Sequence, residues 1–124
     1  PALILKEKNK VSHTILLKDV RITQQAARNA AQKLGWKVSE TNKERVQFYD
    51  RSEHVGLTVK LPGWQFPVVI KESGEIAYDN YKGSWGNAVE VSRLTGLALL
   101  DMQGESLSSV IVTEKAGELI FETS

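Results

Sequence analysis

The chain has 124 residues, 41% of them apolar and 25% charged, which is the balance of an ordinary soluble globular domain of common size. The 16 Lys and Arg stand against 15 Asp and Glu, so the basic excess of a general nucleic-acid binder is missing and any basic patch must be local. Cysteine is absent, which excludes disulfides, thiolate zinc sites, iron–sulfur clusters and a cysteine nucleophile, and suits a reducing cytoplasm.

No apolar run approaches the roughly 18–20 residues that a membrane span needs. Ala2 to Leu5 is apolar, but Lys6, Lys8 and Lys10 follow too soon for a signal peptide. An opening proline is what trimming of an initiator methionine leaves, as at a native start. With neither a span nor a signal peptide in the pattern, the expected compartment is by default the cytosol. Residues 1–10 read as an N-terminal extension or arm, and 11–124 as one domain.

Val11 to Val20 alternates, with Val11, His13, Ile15 and Leu17 on one face, and reads as a strand. The period then changes. Ile22, Ala26, Ala27, Ala30, Ala31 and Leu34 recur at helical spacing, with Thr23 as N-cap and Gly35 as left-handed C-cap. A contact face made of alanine demands a close partner, for which an aromatic-bearing sheet is the expectation. Trp36-Lys37-Val38 reads as a brief strand, and Ser39 to Lys43 as a polar loop. Arg45 to Asp50 and His54 to Leu61 follow as two strands joined by Arg51-Ser52-Glu53, and Pro62-Gly63 breaks the second. Phe66 to Lys71 is a further strand, turning at Glu72-Ser73-Gly74-Glu75 into Ile76-Ala77-Tyr78. These connections are too short for crossover helices, so antiparallel pairing is expected.

Asn87 to Met102 is the second helix, with Asn87 as cap and Glu90 placed to bond back to the Asn87 amide. Val91, Leu94, Leu97, Ala98 and Leu100 spread apolar surface around it, so it is well buried. Gly96 in its middle costs about 1 kcal/mol against alanine, which close packing would explain. Gly104 ends the helix, and Leu107 to Thr113 with Glu118 to Phe121 form a hairpin around Ala116-Gly117. The predicted fold is α+β: a mostly antiparallel sheet with two helices packed on one face, in the order β-α-β-β-β-β-α-β-β.

Ser12-His13-Thr14 opening a strand, and a helix ending Leu34-Gly35-Trp36, resemble the start of a small family of plastid, cyanobacterial and phage proteins. This family is catalogued as a domain of unknown function (twelve-fifty-seven), and its plastid members are hypothetical chloroplast reading frames. The likeness continues through His54–Leu61, the turn before Ile76, the Asp-aromatic-Gly stretch from Asp79 to Gly86, the helix Val91–Met102 and the hairpin around Gly117. The resemblance implies an α+β fold and carries no assigned reaction.

Chemistry is thinly signalled. Lys82-Gly83-Ser84-Trp85-Gly86 precedes a helix N-terminus, a generic anion site, but lacks the spacing of a phosphate loop or a dinucleotide fingerprint. His13 and His54 would need each other and carboxylates such as Asp50 or Glu53 to hold a metal, and no cofactor is implied. Asp79, flanked by aromatics, offers the best ground for an enzyme, yet an Asp-Asn pair at a strand end most often bonds its own loop.

Binding is the stronger reading. Trp64, Phe66, Tyr78, Tyr81 and Trp85 put five aromatics between positions 64 and 85. Tyr78 and Trp85 are the more core-like by alternation. Trp64, Asp79, Tyr81, Lys82 and Trp85 are the candidate binding residues, and aromatic anchors of this kind are what protein interfaces favour. A protein partner, or a second copy of the chain, is therefore expected. The alternative is weak binding of single-stranded nucleic acid by base stacking along Lys60, Lys71 and Lys82.

Overall fold

A computed structural model describes residues 14–17 and 19–123. The expected arm over 1–10, the strand start at Val11 and the face taken by His13 lie outside the described residues.

The first strand, β1 (Thr14–Leu17), pairs antiparallel with β6 (Ile76–Asp79), setting Thr14 opposite Asp79 and Leu17 opposite Ile76. Between them in sequence come α1 (Gln24–Leu34), β2 (Lys37–Val38), β3 (Glu44–Gln47), β4 (Glu53–Lys60) and β5 (Val68–Ile70). These strands form one antiparallel sheet in the order β1-β6-β5-β4-β2, with β3 also paired to β4. After β6 the chain makes a 3-10 turn at Tyr81–Gly83, then α2 (Val89–Met102), then a separate hairpin of β7 (Ile111–Lys115) and β8 (Glu118–Glu122). The fold is α+β with the expected order of elements, the brief strand read at Trp36-Lys37-Val38 being the two-residue β2.

Alternation assigns the faces. Ile15, Leu17, Leu57, Val59, Val68, Ile70, Ile76 and Tyr78 point to the helices and share a core with Ala26, Ala27, Ala30, Ala31, Val91, Leu94, Leu97 and Ala98. The caps of α1 are those the sequence predicts: Thr23 Oγ1 accepts the Ala26 N–H at 3.0 Å, and Gly35 adopts φ 76°. The partner of α1 is not as expected. It packs chiefly on α2 rather than on an aromatic sheet surface, because two helices with small residues between them approach more closely than a helix and a ring-bearing sheet. Asn29 Nδ2 donates to Asp101 Oδ2 at 2.9 Å across this pairing.

In α2, Asn87 Oδ1 accepts the Val89 N–H at 3.1 Å, but the Glu90 carboxylate turns to Arg93 instead of returning to Asn87. Gly96 has the packing reason its position demanded. The ring of Phe121 on β8 lies where a Cβ would stand. The hairpin is further tied to α2 by Arg93 Nη2 donating to Glu114 Oε1 at 3.2 Å.

The face of the sheet away from the helices is covered too. Phe48, Val69 and Ala77 are buried there with Val46 and Phe66 packed against them. The covering piece is the tip of the β3–β4 hairpin, residues 48–52. β3 ends at Gln47 rather than Asp50 because the Phe48 N–H donates to Ser52 O and Arg51 takes φ 69°. β4 changes partners at Gly56, from β3 to β5, where a Cβ would meet the Ile70 carbonyl oxygen. Only glycine permits that approach, and from it the hairpin folds across the sheet.

Candidate functional site

Asp79 is fully buried at the end of β6. Its Oδ1 accepts the Tyr81 N–H at 3.1 Å and its Oδ2 accepts the Tyr49 N–H at 3.2 Å. One carboxylate therefore clamps the 79–81 turn to the hairpin tip. Asn80 extends the clamp: its carbonyl accepts the N–H groups of Gly83 and Trp85, and its Nδ2 donates to the Gly86 carbonyl. Both Asp79 oxygens are engaged with backbone, so this acid holds the loop in place.

The clamp assembles aromatic rings from two distant stretches. Tyr81 stacks on Trp85 with centroids 4.5 Å apart and 21° between planes. Tyr49 stands edge-on to Trp85 at 5.4 Å and to Tyr81 at 6.4 Å. Below them Trp85 contacts Phe66 at 5.9 Å, Phe66 contacts Phe48 at 5.8 Å, and Phe48 lies on His54 at 4.7 Å. The series runs from the interior outward. His54 and Phe48 are buried, Phe66 and Trp85 half-buried, Tyr81 is 38% exposed and Tyr49 62% exposed.

The expected site is thus brought together in part. Tyr81 and Trp85 share the patch, and Asp79 supports it from beneath. Trp64 does not belong. It is buried in the helix-side core, edge-on to Tyr78 at 5.5 Å, with Gly86 pressed against its indole so closely that a Cβ there would overlap the ring. Pro62-Gly63 ends β4 and turns the chain so that this ring enters the core rather than leaving it. The Lys82 side chain lies outside the described residues. Tyr49 was not anticipated. The only sequence signal was an aromatic pair, Phe48-Tyr49, at the end of a strand run, and its relevance depends on the fold at Gly56.

The remaining candidates separate. His54 is buried beside Ser52, and burial, reinforced by the Lys71 charge, holds its pKa below the ordinary value, with Asp50 acting in the opposite sense. Among the described residues no group of three or more His, Cys, Asp or Glu side chains is placed to hold a metal ion. The N-terminus of α2 at Gly86-Asn87-Ala88, a generic anion position, is an ordinary cap: the Asn87 side chain accepts the Val89 N–H and its carbonyl the Glu90 N–H. Lys60 sits opposite Lys37 at the end of β4, whereas Lys71 lies near His54. No helix among the described residues is long and apolar enough to cross a membrane. No family model, curated protein or solved structure matches the chain, so the family resemblance rests on its own residues alone.

Proposed function

We propose that the protein is a small non-enzymatic interaction module whose Tyr49–Tyr81–Trp85 patch docks on a protein surface, either a partner's or that of a second copy. The setting that composition and resemblance suggest is the cytoplasm of a cyanobacterial, plastid or phage-bearing host.

The observation that carries this reading is the state of Tyr81. Its backbone takes φ 47°, a conformation that costs a side chain about 1–2 kcal/mol and that glycine, and occasionally asparagine, adopts. A tyrosine is nevertheless held there by the Asp79 carboxylate and laid flat on Trp85, with more than a third of it open to solvent. Strain of this kind concentrates at binding and switch positions. Rigid, amphipathic tyrosine and tryptophan rings beside Gly83 and Ser84 supply contact area at little entropic loss, which is how interface anchors work.

The test places a photo-crosslinking phenylalanine analogue at position 49 and measures the solution mass of the wild type beside Tyr49→Ser and Tyr81→Asn. The expected result is a crosslink mapped to one protein surface, lost when Tyr81→Asn is added, with both single variants still folded. A crosslink to a second copy, with a dimer mass that the variants abolish, supports the self-docking form. Crosslinking only to single-stranded oligonucleotide, with affinity falling steeply as salt rises, would replace protein docking by the nucleic-acid reading.

A further inference from the structure

His54 lies beneath the hairpin tip that carries Tyr49. Its ring is buried and tilted by 31° against Phe48. Its Nε2 meets Ser52 Oγ at 2.9 Å. Ser52 Oγ meets Asp50 Oδ1 at 2.5 Å, and Thr14 Oγ1 donates to Asp50 Oδ2 at 2.8 Å, so the imidazole ends a hydrogen-bonded chain through the tip to β1. With the Ser52 hydroxyl donating to the Asp50 carboxylate, the Nε2 position carries the imidazole proton and Nδ1 is bare; this tautomer is assigned from the network. Nδ1 is sealed from solvent and meets no hydrogen-bond partner among the described residues. A neutral imidazole tolerates that arrangement. An imidazolium does not, because the second N–H would be a buried, charged donor without an acceptor.

We propose that His54 makes the docking patch acid-sensitive: on taking a proton at Nδ1 it gives up its place under Phe48, the 48–52 tip lifts, and Tyr49 parts from Tyr81 and Trp85. Among the described residues, two charged groups act on the ring. Lys71, just beyond β5, opposes the added charge, and Asp50 in the tip favours it. The β3 residue opposite His54 is the apolar Val46, and the Arg45–Glu53 pair belongs to the other face of the hairpin. Desolvation is the larger influence and keeps the ring neutral until the solution is acidified below its ordinary pKa of 6.5. The same ring series that carries the patch transmits the change, since Phe48 contacts both His54 and Phe66, and Phe66 contacts Trp85.

The inference rests on the docking reading for its consequence, but its test needs no partner. The His54 ring proton and the Tyr49 amide are followed by NMR from about pH 8 to about pH 5, the range in which an imidazole titrates. The expected result is one shared midpoint below 6.5, with hydrogen-exchange protection of the Tyr49 amide lost while the α1 amides keep theirs. Lys71→Met moves both midpoints upward together. His54→Phe, which cannot be charged, leaves the Tyr49 amide unmoved across the range, and if this variant does not fold, Lys71→Met decides alone. A Tyr49 amide that stays in place while His54 titrates, or that moves with a different midpoint, overturns the switch. Failure of crosslinking at neutral pH removes the docking reading and leaves this result standing.

Discussion

Asp79 Oδ2 accepts the backbone N–H of Tyr49 at 3.2 Å, so a carboxylate at the end of β6 fixes a ring thirty positions earlier in the chain. Its other oxygen holds Tyr81 at 3.1 Å. Removing the carboxylate strands two backbone donors at once, in a place where bonds to a charged acceptor are worth more than neutral ones. Asp79→Ala is expected to lower stability by roughly 3 kcal/mol, and Asp79→Asn by roughly 2 kcal/mol, because the amide keeps one acceptor but turns a donor toward the other N–H. Urea unfolding measures the loss, and near-ultraviolet circular dichroism reads the disordering of the Tyr49–Trp85 contact. A change below about 0.5 kcal/mol would show that the two loops meet without the carboxylate.

The stability of the tip should depend on pH in a defined direction. His54 has a folded-state pKa below its ordinary 6.5, so between the two values the unfolded chain binds the proton that the folded one refuses. Stability from this group is complete above 6.5 and is lost as the pH falls through the folded value, below which it declines no further. Melting followed through that window should show a slope in the wild type and none from this group in His54→Phe. A slope unchanged by the substitution would assign the pH dependence elsewhere.

Much of the fold was legible because local rules agreed with one another. Thr23 and Gly35 bracket an alanine face that can only be a closely packed helix, and Gly96 in an apolar helix signalled a close approach, which the Phe121 ring makes. What escaped was long-range. Trp64 and Tyr81 are both aromatic residues next to turns, and nothing local distinguishes the one that enters the core from the one that leaves it. The position of Tyr49 depends on Gly56 approaching the Ile70 carbonyl, and a glycine within a strand announces a bend without giving its destination. The partner of α1 was missed for the same reason: an alanine face specifies distance, not identity.

Gly96 and Phe121 form a pair whose coupling has a predictable sign. Alanine at 96 gains about 1 kcal/mol of helix propensity, yet its methyl would occupy the place of the Phe121 ring, and displacing that ring loosens the β7–β8 hairpin from α2. Gly96→Ala alone is expected to destabilise by about 1–2 kcal/mol. In a Phe121→Ala background the same change should stabilise, because the obstruction is gone and only the propensity remains. A double-mutant cycle read by urea unfolding gives the coupling directly. Additive effects would mean that the ring has room to move aside.

Tyr81 tests whether strain and exposure are separable from folding. Tyr81→Gly relieves a left-handed backbone that costs a side chain about 1–2 kcal/mol, and gives up a ring stack on Trp85 worth about 0.5–1.5 kcal/mol. These nearly cancel, so the variant should melt close to the wild type while losing the proposed docking face. Tyr81→Val is the contrasting case, since it keeps the left-handed strain, adds the crowding of a β-branched residue at φ 47° and gives up the stack. Differential scanning calorimetry on the pair should therefore separate them clearly, with Gly near the wild type and Val well below. If Gly were as damaged as Val, the ring itself would be the structural requirement, and the tyrosine would be there to hold the loop rather than to meet a partner.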